Sequence, residues 1–271
     1  MYVVWTGSER GESDRENTNW CPIRAVDKHQ EMPIAAVNKD ERHALLATAT
    51  AVGPSTGYMA DHRGDWERLI EFSVGVSSDA IELSALAGSE LPGLLAYLDR
   101  TVHLDFGYVS VHAPSKDLER GQVELASYLA NLPPYVRGIV VHPDIIEETV
   151  AFHALGDRLL LENMDALKAD ARTVAELGRF FSALPDARFC FDIAHAFMCD
   201  RTMKLAHALL DAFGERLCEV HLSSIESDGV HVPLTVQDAR RYRSVLRRCM
   251  NVPWILEAAP PEGWFAESAG V

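Results

Sequence analysis

The sequence has few of the features that mark membrane-embedded, secreted or metal-finger proteins. No apolar run approaches the roughly 20 residues that a membrane-spanning helix needs. The N-terminus has neither the basic start nor the apolar core of a signal peptide. The five cysteines show no CxxC spacing, which disfavours a disulfide framework or a cysteine-ligated zinc finger. We therefore expect a cytoplasmic protein without a membrane segment.

Basic residues are also scarce. The 271-residue chain has 25 lysines and arginines against 40 aspartates and glutamates, a formal net charge of −15. Because electrostatic attraction to phosphate backbones supports most nucleic-acid binding, this charge disfavours nucleic acid as a partner. A net negative charge is compatible with a small polar substrate. With 48% hydrophobic residues, the chain is long enough to bury one sizeable core.

Residues 1–40 differ from the rest of the chain. They are polar, rich in charged and turn-forming residues, and show no sustained period of 2 or 3.6 residues. This composition predicts an N-terminal extension that is disordered or packed as an arm. We expect residues 41–271 to form one catalytic domain.

Beyond that extension, short apolar runs rich in β-branched residues alternate with longer amphipathic stretches. Apolar strands that alternate with helices are typical of a parallel sheet covered on both faces, and eight strands with seven helices predict a (β/α)8 TIM barrel. The eighth helix is expected to be short or absent, and the N-terminal arm or a second subunit of a homo-oligomer would cover that side. The predicted strands are 43–50, 79–86, 106–113, 137–143, 158–163, 187–194, 217–223 and 252–259. The predicted helices are 65–74, 89–100, 118–132, 144–155, 171–184, 203–214 and 235–250.

Six consecutive predicted strands, the third to the eighth, end in residues that can bind a metal ion. A single histidine at such a position is more often structural, but all strand ends meet at one face of a barrel, where active sites form. The joint placement therefore predicts a site for one to three divalent ions, with Zn, Mn, Co and Mg as candidates. Glu82, on the second strand, either points into this site or caps it. The candidate ligands are His112, His142, Glu162, Asp192, His195, His221, Asp228, His231 and Glu257.

The strand-end motifs resemble those of a known superfamily. VSVHAPS, VVHPD, LLLENMD, FDIAHAF, EVHLSS and WILEAA resemble, in order, the strand motifs of xylose-isomerase-like TIM barrels, which include sugar isomerases, epimerases and endonuclease IV. The resemblance runs from about residue 43 to residue 259. It implies a central metal ion with four ligands, Glu162, Asp192, His221 and Glu257.

The endonuclease IV branch of this resemblance implies two further ions. The third would use an aspartate two positions before its second histidine, where this chain has Gly229. The nearest carboxylate is Asp228, so either that residue reaches the ion by another path or the two histidines contact substrate. The second ion would be held by His112, His142 and the bridging Glu162, and the third by His195 and His231.

Two enzymatic activities are compatible with these residues. A metal-dependent isomerase or epimerase acting on a sugar or sugar phosphate would form an enediolate, with Glu162 and Glu257 exchanging the proton and His195 binding a substrate oxygen. The alternative is a zinc-dependent phosphoesterase of the endonuclease IV type, favoured by the presence of both His112 and His142. The acidic charge and the short loop after the second strand disfavour abasic-site cleavage in DNA. The complete set of four ligands disfavours a barrel without catalytic activity, and the sequence favours the isomerase.

Overall fold

The structure is a computed structural model that describes residues 41–118 and 121–264. Eight parallel strands follow one another around a barrel, from β1 to β7 and then β10, and β10 pairs with β1. An isolated parallel bridge between Ser55 and Glu82 joins β1 to β2 and brings the ring close to closure. This topology confirms the predicted (β/α)8 barrel. The barrel strands are β1 (Val52–Pro54), β2 (Ala80–Ser84), β3 (Tyr108–His112), β4 (Gly138–Val141), β5 (Leu159–Glu162), β6 (Arg188–Asp192), β7 (Leu217–Leu222) and β10 (Trp254–Leu256); β8 (Ser224–Ile225) and β9 (His231–Val232) form an antiparallel hairpin after β7.

Helices cover the outside of the barrel. Two of them, α6 and α9, begin with capping boxes in which Thr173 and Thr235 bond the backbone of the third helical residue, which satisfies otherwise unpaired N–H groups. None of the described helices is both long and apolar enough to cross a membrane. The helices are α1 (Glu41–Leu46), α2 (Trp66–Val76), α3 (Leu91–Arg100), α4 (Gln122–Ala130), α5 (Thr149–Phe152), α6 (Val174–Ala183), α7 (Ile193–Cys199), α8 (Lys204–Phe213) and α9 (Val236–Leu246).

The predicted first strand is wrong. Residues 43–50 form most of α1 and the turn after it, and β1 lies at Val52–Pro54. The apolar run HALL fits one helical turn as well as a strand, whereas β1 contains glycine and proline, which usually mark turns. The glycine is required because a Cβ at Gly53 would lie 1.8 Å from the carbonyl oxygen of Ala80. Glycine is therefore needed at position 53 because the backbone of β1 lies against the backbone of β2 at Ala80.

Most of the other observed elements are one to four residues shorter at an end than predicted, and two predicted elements differ in a way that has a structural cause. The strand predicted at 187–194 ends at Asp192, because the Asp192 side chain accepts a hydrogen bond from His195 N and caps α7. The helix predicted at 144–155 is broken into a 3-10 turn, the short α5 and a second 3-10 segment. The predicted extension at residues 1–40 lies outside the described part of the chain.

Alternation along the strands divides the core into two parts. In β5, Leu159 and Leu161 belong to the large cluster between strands and helices, whereas Leu160 faces the barrel interior with Val140 and Cys190. The next inward residue of β5 is Glu162, the last of the strand. The same period-2 alternation places the polar strand-end residues above an apolar floor inside the barrel.

Candidate metal centre

The predicted ligands converge at the C-terminal mouth of the barrel, with Glu162 in the middle. Its Oε2 atom lies 3.4 Å from Nε2 of His112 and 3.2 Å from Nε2 of His142. Its Oε1 atom lies 3.3 Å from Nδ1 of His195 and 3.4 Å from Nδ1 of His221. Each carboxylate oxygen therefore faces its own pair of imidazole rings, which is the arrangement of a bridging ligand.

The remaining ligands complete the far side of the site. Glu257 follows β10 directly, and its Oε1 lies 3.2 Å from Nδ1 of His221 while its Oε2 lies 3.2 Å from Nδ1 of His231. Nδ1 of His195 lies 3.6 Å from Oδ2 of Asp192. Among the described residues, ligand atoms come within 4.8 Å of one another in three sets at the mouth of the barrel. They are His112–His142–Glu162, Glu162–Asp192–His221–Glu257 and Asp192–His195–His231.

Several of these ligand atoms are buried without a hydrogen-bond partner among the described residues. They include both carboxylate oxygens of Glu162, Oδ2 of Asp192 and Nδ1 of His221, and all three residues are 0% exposed. A buried polar group without a partner costs roughly 1–3 kcal/mol, and more if it is charged. A divalent cation would satisfy them together, and the mixed nitrogen and oxygen donors suit Zn, Mn or Co. The residues therefore fit a metal.

The charges of the imidazoles hold Glu162 and Glu257 in their ionised form, whereas burial raises the pKa of Asp192 well above its usual range. Burial disfavours ionisation of Glu162, but the charges of His221 and His142 outweigh it and hold the pKa of Glu162 well below its usual range. Burial also disfavours ionisation of Glu257, but the charges of His231 and His221 have the larger effect and lower its pKa well below its usual range. Ionised carboxylates are the form that binds a cation.

Three of the histidines, His112, His195 and His221, carry protons at neutral pH in the absence of a cation. Burial lowers the pKa of an imidazole, but the contact of His112 Nε2 with the Glu162 carboxylate at 3.4 Å outweighs it and raises the pKa of His112 to about 9. Burial is also outweighed at His195, where the charge of Asp192 raises the pKa to about 10. At His221 the charges of Cys190 and Glu257 outweigh burial and raise the pKa well above its usual range. Burial dominates and lowers the pKa at His142 and His231.

We expect metal binding to release protons, because a cation requires the neutral form of an imidazole that it binds. With pKa values of about 9 and 10, His112 and His195 are both protonated at pH 7, and so is His221, whose pKa is raised well above its usual range. Zn²⁺ binding should then release up to about three protons, and affinity should rise roughly tenfold per pH unit for each. Calorimetric titrations in buffers of different ionisation enthalpy measure this release. Equal heats in all buffers, with constant affinity from pH 6 to 8, would contradict the expectation.

Backbone contacts fix the orientation of the rings. Nδ1 of His112 lies 2.9 Å from the carbonyl oxygen of Ala113, and Nδ1 of His195 lies 3.0 Å from that of Asn163. The Asn163 amide is itself held by both backbone groups of Asp192, at 2.8 and 3.0 Å. Asn163 was not among the predicted site residues, although it follows Glu162 in the motif LLLEN. Such partners set which ring nitrogen is free to bind a metal.

The structure does not bring Asp228 together with the other candidates. Its side chain lies in the exposed turn of the hairpin, where Oδ1 accepts a hydrogen bond from Val230 N. His195 and His231 do meet, with their Nε2 atoms 3.2 Å apart. The nearby carboxylates are Asp192, which belongs to the same set, and Asp165, whose Oδ2 lies 3.9 Å from Nε2 of His195.

Two further carboxylates lie below the predicted ligands, inside the barrel. Glu82 and Glu219 are both 0% exposed, and each places an oxygen 3.0 Å from Nε2 of His221. Burial opposes ionisation of Glu82, but His221 lowers its pKa, whereas burial raises the pKa of Glu219. The sequence left the direction of Glu82 open and did not single out Glu219. The signal for Glu219 was its position two residues before His221, which places both on one face of β7.

Comparisons with known proteins find similarity in structure. No protein-family model and no curated protein matches the chain. It is similar to an endonuclease IV from Thermus thermophilus, with 21% identity over 70% of this chain and 86% of that chain and a TM-score of 0.46. It is also similar to a D-psicose 3-epimerase, with 15% identity over 77% of this chain and 84% of that chain and a TM-score of 0.45. It is similar as well to the 3-keto-D-glucoside 4-epimerase YcjR from E. coli, with 14% identity over 76% of this chain and 90% of that chain and a TM-score of 0.44. These similarities concern the fold.

Proposed function

We propose that the protein is a divalent-metal-dependent hydrolase that cleaves a phosphoester at the mouth of the barrel. The observation that supports this most is the position of Glu162 between two pairs of imidazoles. An isomerase with one ion has no need of His112 and His142, yet both turn Nε2 toward the same oxygen of Glu162. A carboxylate shared by two ligand sets is what a two-metal site for displacement at phosphorus requires.

In this proposal each ion would have a ligand set of its own. His112, His142 and Oε2 of Glu162 would hold one, while Oε1 of Glu162 belongs with the set that ends in Glu257. His195 and His231 would hold a third ion with Asp192. Cations bound there would supply Lewis-acid stabilisation of the phosphoryl oxygens and a nucleophile from water at neutral pH.

Exposure indicates how a substrate reaches these residues. The side chains of Glu162 and His221 are 1% and 0% exposed, whereas those of His142 and Glu257 are both 14% exposed and that of His231 is 22% exposed. The last three therefore line the solvent side, where the phosphoester would bind. The net charge of −15 favours a small phosphoester over a nucleic-acid polymer, which the protein would repel.

A metal-dependent isomerase or epimerase of a sugar or sugar phosphate is the second candidate. It is favoured by the complete set of Glu162, Asp192, His221 and Glu257, which serves one ion without the other histidines. Glu162 and Glu257 both reach Nδ1 of His221, at 3.4 and 3.2 Å. In this reaction Glu257, the more exposed carboxylate, would remove a proton from the substrate to form an enediolate, and Glu162 would return it.

Metal content and the response of one variant distinguish the two reactions. We expect two or three zinc ions per chain by elemental mass spectrometry of protein purified without added metal or chelator, together with hydrolysis of p-nitrophenyl phosphate or its diester. His142→Asn should lose one ion and the hydrolysis, because it removes one nitrogen facing Glu162 and leaves the four-ligand set complete. The affinity of the altered set should fall by at least roughly 10–100-fold.

The opposite results are equally informative. One ion per chain, with epimerisation of ketoses that persists in His142→Asn, would replace the hydrolase by the isomerase. A protein that contains no metal and rejects added Zn²⁺, Mn²⁺ and Co²⁺ would overturn both reactions.

A further inference from the structure

The ring of His221 has buried carboxylates on both of its edges. Toward the mouth, Nδ1 lies 3.4 Å from Oε1 of Glu162 and 3.2 Å from Oε1 of Glu257. Toward the floor, Nε2 lies 3.0 Å from Oε2 of Glu82 and 3.0 Å from Oε1 of Glu219. His221 is 0% exposed, so its proton must be shared with these groups and not with water.

The lower edge of the ring decides where the proton of the neutral imidazole lies. Nε2 meets both lower oxygens at hydrogen-bond distance, whereas Nδ1 makes no hydrogen bond among the described residues. An ionised carboxylate only accepts hydrogen bonds, so the contact of Nε2 with Oε2 of Glu82 at 3.0 Å favours a proton on Nε2. The neutral ring then has its lone pair on Nδ1, facing Glu162 and Glu257.

Glu82 and Glu219 lie on different strands, and only the strand of Glu219 also carries His221. Glu219 lies on β7 two residues before His221, so it moves with the strand that carries the ring. Glu82 lies on β2 and is separated from His221 by 139 residues. Its other oxygen, Oε1, accepts a hydrogen bond from Ser84 Oγ at 3.0 Å, and Ser84 Oγ lies 2.7 Å from Ser55 Oγ. Glu82 therefore anchors the ring to a different part of the barrel.

We infer that Glu82 is a positioning residue of the metal site: it accepts the Nε2 proton of His221 and thereby turns the unprotonated Nδ1 toward the ligands above. A buried carboxylate that accepts the far N–H of a metal-binding histidine fixes its tautomer and increases its basicity. The inference rests on metal binding at the proposed site and is independent of which reaction occurs there.

The test compares two variants of the full chain, Glu82→Met and Glu82→Gln, with Co²⁺ as the probe. Affinity is measured by competition with a chromophoric chelator, and ligand geometry by the visible absorption of bound Co²⁺. Glu82→Met should lower the affinity about 10–100-fold and change the absorption spectrum. Glu82→Gln should recover most of the affinity, because its amide oxygen can accept the same proton.

Glu219→Met is the matched control, because Glu219 is equally buried and equally close to Nε2. It should lose less affinity than Glu82→Met. If Glu82→Met fails to fold by circular dichroism, Ser84→Ala replaces it, and a loss of affinity in the same direction is expected because the hydroxyl that holds Glu82 is gone. Native affinity and an unchanged spectrum in the folded Glu82 or Ser84 variant would overturn the inference, as would an equal loss in Glu219→Met. If the native chain binds no Co²⁺, the proposed function fails instead.

Discussion

Glu162→Gln should remove metal from the barrel and abolish turnover on every substrate. Both oxygens of this carboxylate face imidazole nitrogens, on four rings in all, and two of the three ligand sets share it. An amide of the same shape removes the negative charge and turns a donor toward one of the two pairs of rings. Breaking a buried charge cluster on one side costs about 3–5 kcal/mol. Elemental mass spectrometry and activity assays give the result directly.

Glu71→Gln is the control, since this glutamate is exposed on α2 and belongs to none of the ligand sets. It should keep native metal content and activity. A Glu162→Gln protein with its full complement of metal would show that the carboxylate is a structural residue only.

The same variant should change how the metal-free protein responds to pH. In the native chain the pKa of His112 is raised from 6.5 to about 9, so this histidine contributes stability that is fully present below pH 6.5 and is lost as the pH rises through 9. The contact with the Glu162 carboxylate is the main cause of this raised pKa. In Glu162→Gln the free energy of unfolding should therefore vary less between pH 6.5 and 9, which urea titrations measure.

Gly53→Ala should strongly destabilise the barrel. The new Cβ would lie 1.8 Å from the oxygen, 2.3 Å from the carbonyl carbon and 2.9 Å from the Cα of Ala80, all backbone atoms of β2. Relief requires β1 and β2 to separate where a single bridge joins them. Overpacking typically costs about 1–3 kcal/mol, and a backbone clash should reach at least about 3 kcal/mol. The melting temperature should fall by about 6 °C or more.

Gly75→Ala provides the comparison, because its added Cβ meets nothing within 4 Å and the residue lies in α2. Alanine is favoured over glycine in a helix by roughly 0.5–1 kcal/mol, so this variant should melt at the native temperature or slightly above it. Native melting of Gly53→Ala would mean that β1 and β2 do not approach as closely as the structure has them.

The ligands could be predicted from sequence because they end apolar runs. The runs LLLE and WILE place Glu162 and Glu257 at strand ends, and the barrel topology brings all strand ends together at one face. β1 could not be predicted, since a strand of three residues with Gly53 and Pro54 carries no alternation to detect. The roles of Glu82 and Glu219 depend on which residues meet across the barrel, and that follows from register and not from either strand alone.

The pairing of β1 with β10 has a consequence for protein synthesis. Val52 pairs with Trp254, and Glu257 follows that last strand directly. The ladder of the first strand therefore cannot form until β10, about 200 residues later in the chain, has been synthesised, and Glu257 is synthesised with it. Barrel closure and completion of the four-ligand set should thus occur together once β10 has left the ribosome.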